Sequence, residues 1–397
     1  MARKRILLYG ATGYSGGLIA EEAARKSADH SWDFELVLAS RDRVSLAEMG
    51  KDLKLGWTAF SLDDEGKVAD ALRGFDVLIN AAGPFSETAM RLAKSAIRVN
   101  CHYIDINGEV DVYKHLIELQ YIAQARDVAL VSGAGHTAAL SDLMLRAALI
   151  KISKVRQIGA VRIAVERMKF LSRGSARTMM RMVREEVTIA RAGPAEGDPL
   201  VLTHVPVGSL ERTFNFGGDS KDSEHPCAHD RLQVARPRIA SAANLIDTLT
   251  ARINLERGQV SASSVESYIE MPGSMRLGYQ LGAFAAFTFQ IPVLHELNRW
   301  QVDMLPEGPD REERRTNSHR VVLQIEDVYR KPLIDWCLLT GDPYELTARI
   351  ALGVAENPAR SGYGWQTPAS ALDSLDVLLL DEKKFAVLAG CRWLRHS

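Results

Sequence analysis

The chain has 397 residues, of which 46% are hydrophobic and 25% charged; this balance excludes disorder and suits two globular domains or one with a large insertion. Its 49 basic and 50 acidic residues leave a net charge of -1, which excludes a global electrostatic footprint for nucleic acid and leaves only local patches. The 4 cysteines, Cys101, Cys227, Cys337 and Cys391, form no C-x-x-C pair and point to free thiols in a reducing compartment.

The basic start Ala2-Arg3-Lys4-Arg5 is followed by too few apolar residues for a signal-peptide core, so a cytoplasmic location is expected. Ile6 to Tyr9 has the length of a buried parallel strand, and Leu18 to Ala24 takes up helical spacing. Between them Gly10, Thr12, Gly13, Tyr14, Ser15 and Gly16 form a glycine-rich turn that can seat a pyrophosphate at a helix N-terminus. The spacing is G-x-x-G-x-x-G, not G-x-G-x-x-G, and alone it is a weak signal.

Phe34 to Ala39 reads as the second strand, and its tip decides cofactor choice because the adenine ribose lies there. Ser40 and Arg41 suit the 2′-phosphate of NADP(H), whereas Asp42 stands one or two positions late for a ribose hydroxyl. A solvated loop is the alternative for Arg41 and Arg43. Leu46 to Leu53 and Glu65 to Leu72 read as helices around a short strand near Thr58 to Phe60. The strand Phe75 to Asn80 then runs into Ala81-Ala82-Gly83-Pro84-Phe85. Small residues Ala82, Gly83 and Pro84 would let a dinucleotide cross, and Phe85 would pack on the nicotinamide or fill core.

A helix from Glu87 to Ile97, a strand His102 to Asp105 and a helix from about Glu109 to Arg126 follow. Asp105 and Glu109 are expected at a polar rim of the cleft, with first-turn helix charge as the other reading of Glu109. The strand Val128 to Val131 opens into Ser132 to Asp142, read as a loop carrying Gly133, His136 and Thr137. His136 is the first proton-donor candidate because imidazole titrates near neutrality, with Tyr103 and Asp105 behind it.

Taken together, Gly10-Ala-Thr-Gly13-Tyr-Ser-Gly16, Asn80-Ala-Ala-Gly83-Pro84-Phe85, Tyr103-Ile-Asp105-Ile-Asn-Gly108-Glu109 and Gly133-Ala-Gly135 before Ser141-Asp142-Leu143 resemble the saccharopine dehydrogenase-like reductases, including the trans-acting enoyl reductases. The resemblance continues at Ser172-Arg173-Gly174-Ser175-Ala176, Gly341-Asp342-Pro343-Tyr344 and Thr367-Pro368-Ala369, and is loose from about Pro194 to Asn317. The family usually carries an aromatic and a proline where this chain has His136 and Leu140. The resemblance implies NADPH-dependent reduction, with Ser172 and Ser175 joining Phe85, Glu109 and Thr137 near the substrate.

Farther on, Ile158 to Val165 reads as a strand and Ser172 as the cap of a helix running to about Ala190, striped by Met180, Val183 and Val187. That stripe reads as core or as the lining of an adaptable apolar pocket. His225-Pro226-Cys227-Ala228-His229-Asp230 could hold an ion in extended backbone, but proline argues for a loop and no fourth ligand is visible, so no metal is expected. Leu277 to Leu294 is the most apolar segment, read as a buried or dimer-interface element before a peripheral membrane contact, a lipid-substrate lining or a span. Asp310 to Arg315 reads as a charged turn, Val321 to Ile325 as a strand, and Asp342 to Ala355 and Pro368 to Leu380 as helices around Trp365.

The expected architecture is α/β: an NADP-binding Rossmann domain over 1–137, a mixed α+β substrate and dimerisation domain over 138–339, and C-terminal helices over 340–397 that return to the first. The expected activity is hydride transfer to a C=C or related bond of a hydrophobic substrate. Imine reduction and a non-catalytic NADP(H)-binding, membrane-associated protein are the alternatives. A small-molecule or lipid-like substrate, a homodimer and no nucleic-acid partner complete the expectation.

Overall fold

A computed structural model of the chain describes residues 3–29, 32–182, 186–193, 198–216, 237–271 and 302–372. Two compact units emerge: the described residues of 1–139 and 344–374 form one, and those of 140–343 the other. The segments around His225 to Asp230 and Leu277 to Leu294 lie outside the described residues.

In the first unit, strands β1 (Lys4–Tyr9), β2 (Phe34–Ser40), β3 (Gly56–Ala59), β4 (Val77–Asn80), β5 (His102–Asp105) and β6 (Ala129–Val131) alternate with helices. Those helices are α1 (Tyr14–Ala28), α2 (Arg43–Leu53), α3 (Glu65–Leu72), α4 (Phe85–Arg98), α5 (Val110–Glu118) and α6 (Gln120–Gln124). The strands pair in parallel in the order β3-β2-β1-β4-β5-β6. Their interiors are apolar throughout because helices cover both faces; Ile6, Leu7, Leu8, Leu78, Ile79, Ile104 and Leu130 are all fully buried. Strand order reverses between β1 and β4, and the carboxyl ends of those two strands therefore open a crevice where α/β sheets bind ligands.

The chain returns to this sheet from far away. Trp365, read in the sequence only as a residue between helices, is the middle of a short seventh strand, β15 (Gly364–Gln366), paired in parallel with β6. Its buried indole meets the Tyr113 ring edge-on at 5.0 Å.

Several elements differ from expectation, each for a local reason. The stretch expected as a loop to Asp142 is helical from His136 onward, in α7 (His136–Lys151). Ala139 donates to the Gly135 carbonyl at 3.1 Å and His136 N–H to Thr347 Oγ1 at 3.0 Å, so the two glycines end where the helix begins. The helix expected to reach Ala190 is α8 (Arg173–Met182), and Val187 belongs to β8 (Val187–Arg191), where Val187, Thr188 and Ile189 bring β-branched preference. The long helix to Arg126 breaks at Leu119 into α5 and α6.

The second unit is a mixed sheet. Strands β7 (Gln157–Val165), β9 (Val201–Val205), β10 (Glu211–Asn215), β11 (Pro237–Ala242), β12 (Ser261–Glu270), β13 (His319–Glu326) and β14 (Pro332–Thr340) join β8, with α9 (Asp247–Arg257) between β11 and β12. The order is β10-β11-β12-β7-β13-β14, with β8 bridging β12 and β9; among the described strands of this sheet only the β7–β12 pair is parallel. One face carries the apolar cluster of Val187, Ile189, Phe214, Phe216, Tyr268 and Val322. At one end of it Glu166 Oε1 accepts from Arg238 at 2.9 Å and Arg320 at 2.8 Å; at the other, Arg162 meets Glu326 at 2.7 Å. The expected charged turn at Asp310 is the cap of a short helix, α10 (Arg311–Thr316). Asp310 accepts the Glu312 and Glu313 N–H groups, both at 2.8 Å, and Glu313 answers to Asp310 N–H at 2.9 Å. The remaining helices are α11 (Pro343–Glu356) and α12 (Pro368–Ala371).

Candidate functional site

The turn from β1 to α1 is shaped by backbone crowding. A Cβ on Gly10, whose φ is +87°, would lie 2.6 Å from Ala82 N, and one on Gly16 would lie 2.1 Å from the Gly10 carbonyl oxygen. These two glycines let β1, α1 and the end of β4 close on one another. Gly13 differs: its added Cβ would meet nothing nearer than the Gly10 oxygen at 3.4 Å, and it is exposed. It sits at the N-cap of α1 without a capping side chain, so the first turn of α1, with Tyr14 and Ser15, presents its N–H groups and its dipole to an anion. Thr12 and Ser15 are half-buried beside it, and the Tyr14 ring packs edge-on against Tyr344 at 5.1 Å.

At the tip of β2 the structure separates two candidates that the sequence left adjacent. Asp42 is the N-cap of α2, accepting from Val44 N–H at 3.0 Å, Ser45 N–H at 3.1 Å and Ser45 Oγ at 2.6 Å. The Ser45 hydrogen bonds hold its carboxyl below the ordinary value. Its lone pairs are thus directed to its own helix. Ser40 is buried and its Oγ accepts Asp42 N–H at 3.1 Å, while Arg41 is exposed and, among the described residues, has no carboxylate within ion-pair distance. Burial raises the Tyr9 phenol above its ordinary value, and the Arg41 guanidinium opposes that rise. Arg43 lies over the Trp57 ring, 5.6 Å from its centroid.

Beneath the crossing at Ala82-Gly83-Pro84 runs a buried polar chain. Asn80, at the end of an otherwise apolar strand, donates to Thr88 Oγ1 and to the Tyr103 hydroxyl, each at 3.2 Å, and accepts Ala82 N–H at 3.0 Å. Thr88 in turn donates to the Ala82 carbonyl at 2.7 Å. The Tyr103 hydroxyl donates to Asp105 Oδ2 at 2.9 Å, and Asp105 Oδ1 accepts Asn107 N–H at 3.0 Å, Gly133 N–H at 2.9 Å and Ser132 Oγ at 2.9 Å. Burial pushes the Asp105 carboxyl up to about 6 against those hydrogen bonds, and burial beside Asp105 raises the Tyr103 phenol well above its ordinary value.

Asp105, expected at the cleft rim, and Tyr103, a proton-donor candidate, are therefore fully buried, and their polar atoms tie the ends of β4, β5 and β6 together. Glu109 is also placed differently. Its two carboxylate oxygens accept Phe85 N–H at 3.1 Å and Ser86 N–H at 3.2 Å, capping α4, which Pro84 cannot cap. Asn107 locks it in place by accepting Glu109 N–H at 2.7 Å.

Gly83 is exposed and Phe85 half-buried, so the crossing keeps an open surface above this network. His136, only 4% exposed, starts α7 with its Nδ1 3.4 Å from Thr137 Oγ1. Ser172 and Ser175 belong to the second unit, where Ser172 Oγ accepts Ser175 N–H at 3.1 Å as the cap of α8. Among the described residues no group of three or more His, Cys, Asp or Glu side chains could hold a metal ion.

Thr88 escaped the sequence reading, and Asn107 and Ser132 entered it only as members of motifs, without a role. Asn80 and Asn107 left a trace, as amides ending an apolar strand and starting an Asx turn, but Thr347 lies 211 residues from His136 and its hydrogen bond to that residue left none.

Residues 6–131 match the saccharopine dehydrogenase NADP binding domain, and the first unit is accordingly an NADP-binding domain of that type. The saccharopine dehydrogenase-like oxidoreductase of Homo sapiens is 26% identical over 153 residues, 35% of each chain. The trans-acting enoyl reductase of Mycobacterium leprae is 28% identical over 145 residues, 35% of this chain and 34% of that one. A lipid droplet localized protein of Caenorhabditis elegans is 26% identical over 154 residues, 36% of this chain and 35% of that one. The matches thus span about a third of the length of these curated relatives. Among solved structures, saccharopine dehydrogenase (L-Glu forming) from Saccharomyces cerevisiae shares the fold over 95% of this chain and 96% of its own, with TM-score 0.58 and 12% identity.

Proposed function

We propose that this chain is an NADPH-dependent reductase of the saccharopine dehydrogenase-like kind, delivering hydride to a C=C (enoyl) or related bond of a hydrophobic substrate. The observation that carries the cofactor half is the tip of β2, where Arg41 is exposed beside buried Ser40 while Asp42 is committed to capping α2. A guanidinium and a hydroxyl suit a 2′-phosphate, and a carboxylate turned to its own helix does not compete for a ribose hydroxyl. The enoyl half is supported by the similarity to the trans-acting enoyl reductase.

NADPH supplies the hydride when bound; the chain's residues bind, orient and move the proton. The first turn of α1 and Gly13 would hold the pyrophosphate, with Arg41 and Ser40 for the phosphorylated ribose. Ala82, Gly83 and Pro84 would let the dinucleotide cross the sheet edge, and Phe85 would stand on the nicotinamide side. Asn80, Tyr103 and Asp105 act as positioning residues that hold Ala82 and Gly133 at fixed separation. His136 is the proton donor, its ring steadied by Thr137.

Three outcomes of one experiment test this. Purified chain is given NADPH with an α,β-unsaturated acyl thioester, and separately with an amino-acid imine, while absorbance follows oxidation of the cofactor. Turnover of the thioester supports the reading. Turnover of the imine alone replaces it with C=N reduction, and tight NADPH binding without turnover of either makes the chain a sensor. A cytoplasmic homodimer belongs to the same proposal, checked by light scattering of the purified chain.

A further inference from the structure

One end of the second unit gathers basic and apolar side chains that nothing in the proposed reduction uses. The strand register sets the location: Gln157 of β7 stands beside Ser261 of β12, Ala160 beside Glu326 of β13, and Glu326 beside Pro332 of β14. The β13–β14 turn therefore sits at the start of β7, so closely that a Cβ on Gly159 would lie 2.2 Å from the Asp327 carbonyl oxygen. The link from α7 into β7 is fixed to the same end, since Arg156 donates to the Gly258 carbonyl at 3.3 Å and its own carbonyl accepts Ser261 N–H at 2.9 Å. Lys151, ending α7, lies over the Trp336 ring of β14, 5.5 Å from its centroid.

At the tip of that turn Tyr329 is 81% exposed and Val328 45%, and Ile150 at the end of α7 is 69% exposed. Isolated apolar side chains on a surface are ordinary, but three at one end of a sheet, ringed by cations, are not. Lys154, Arg330 and Lys331 are exposed and, among the described residues, have no ion-pair partner. The acidic groups there are engaged. Asp327 Oδ1 accepts the N–H groups of Tyr329 and Lys331, both at 2.8 Å, Glu256 is held by Arg252 at 2.8 Å, and Glu326 by Arg162 at 2.7 Å. The turn is tied by its Asp327 hydrogen bonds, its apolar tip is exposed, and the cations beside it outnumber that one carboxylate.

We propose that this end of the second unit docks on an anionic lipid bilayer, with Val328, Tyr329 and Ile150 at the acyl boundary and Lys154, Arg330 and Lys331 against the headgroup phosphates. Tyrosine suits that depth, having an apolar ring and a wet hydroxyl, and cations beside it are attracted by the negative surface potential. Nucleic acid would neutralise the cations but would leave Ile150 and Val328 in water, so the mixed composition favours lipid. The proposal is independent of which bond the first unit's cofactor reduces.

The test sediments the full chain with vesicles of phosphatidylcholine alone and of phosphatidylcholine with phosphatidylserine. Binding is expected only to the anionic vesicles and should fade at high salt. The triple variant Lys154→Ser/Arg330→Ser/Lys331→Ser should bind on the order of 100-fold more weakly, at about fivefold for each charge removed. The pair Val328→Ser/Tyr329→Ser should also bind more weakly, with thermal unfolding and NADPH titration unchanged in both variants. Absence of binding to anionic vesicles overturns the proposal, as does binding that neither variant weakens. Binding of the chain to RNA but not to vesicles, abolished in the triple variant, overturns it in favour of a nucleic-acid surface.

Discussion

Glu109 accepts the backbone N–H of Phe85 at 3.1 Å, so a residue at the start of one helix caps the helix before it. The Gly83-Pro84-Phe85 crossing thus hangs from a carboxylate two dozen residues later. Glu109→Ala should cost about 1 kcal/mol of stability, the usual value of a helix cap, and should weaken NADPH by loosening the crossing. Glu109→Gln, which keeps one acceptor, should recover most of both. Urea unfolding and NADPH titration of the two variants check this; a Glu109→Ala variant with wild-type values for both would remove the crossing from the cofactor site.

The tip of β2 makes a cofactor prediction. Arg41→Ala should weaken NADPH by about 10- to 100-fold, the size of one hydrogen bond to a charged group, and leave NADH nearly unchanged. Asp42→Ala should lower stability through the lost α2 cap without altering the ratio of NADPH to NADH affinity. Equal weakening of both cofactors by Arg41→Ala would place the 2′-phosphate elsewhere.

Glycines 13 and 16 look alike in sequence and are opposite in structure. Gly16→Ala would drive a methyl group to 2.1 Å from the Gly10 carbonyl oxygen and must push α1 off β1, so a loss of several degrees in Tm together with loss of NADPH binding is expected. Gly13→Ala meets only an ordinary contact at 3.4 Å; Tm should stay within a degree or two while NADPH binding falls, because the added methyl stands where the pyrophosphate approaches. Calorimetry with and without cofactor separates the two.

Asp105 makes stability depend on pH. Its carboxyl is raised from 3.8 to about 6 by burial, so between those values the folded chain binds more protons than the unfolded one. The protonated form stabilises the fold fully below the lower value, and that stabilisation is lost as pH rises through the upper one, a change of about 3 kcal/mol for this group. Asp105→Asn, neutral at every pH, should flatten that part of the profile of unfolding free energy between pH about 4 and about 6. An unchanged slope in the variant would mean that another group carries it.

His136→Ala should lower kcat on the order of 100-fold, the scale of a lost general acid, with NADPH affinity unchanged. Thr347→Ala, which removes the acceptor of the His136 N–H, should lower it less. An unchanged kcat in His136→Ala would make the residue a helix start and nothing more.

The sequence by itself determined the first unit's alternation of strands and helices and the place of the glycine turn, because run length, period and glycine position are properties of residues close in the chain, and it named Ser40, Arg41, Gly83 and Gly133 as cofactor candidates. Apolar runs of the right length become buried strands, and glycine positions mark where backbones must approach. Only the tertiary structure decided that Glu109 caps another helix and that Tyr103 and Asp105 are internal ties. Those outcomes turn on which N–H groups a carboxylate finds within 3 Å or so after packing, a matter of sheet order and not of spacing. The seventh strand at Trp365 and the Thr347 support of His136 lay beyond any local pattern, since their partners stand far away in the chain and leave no periodicity behind.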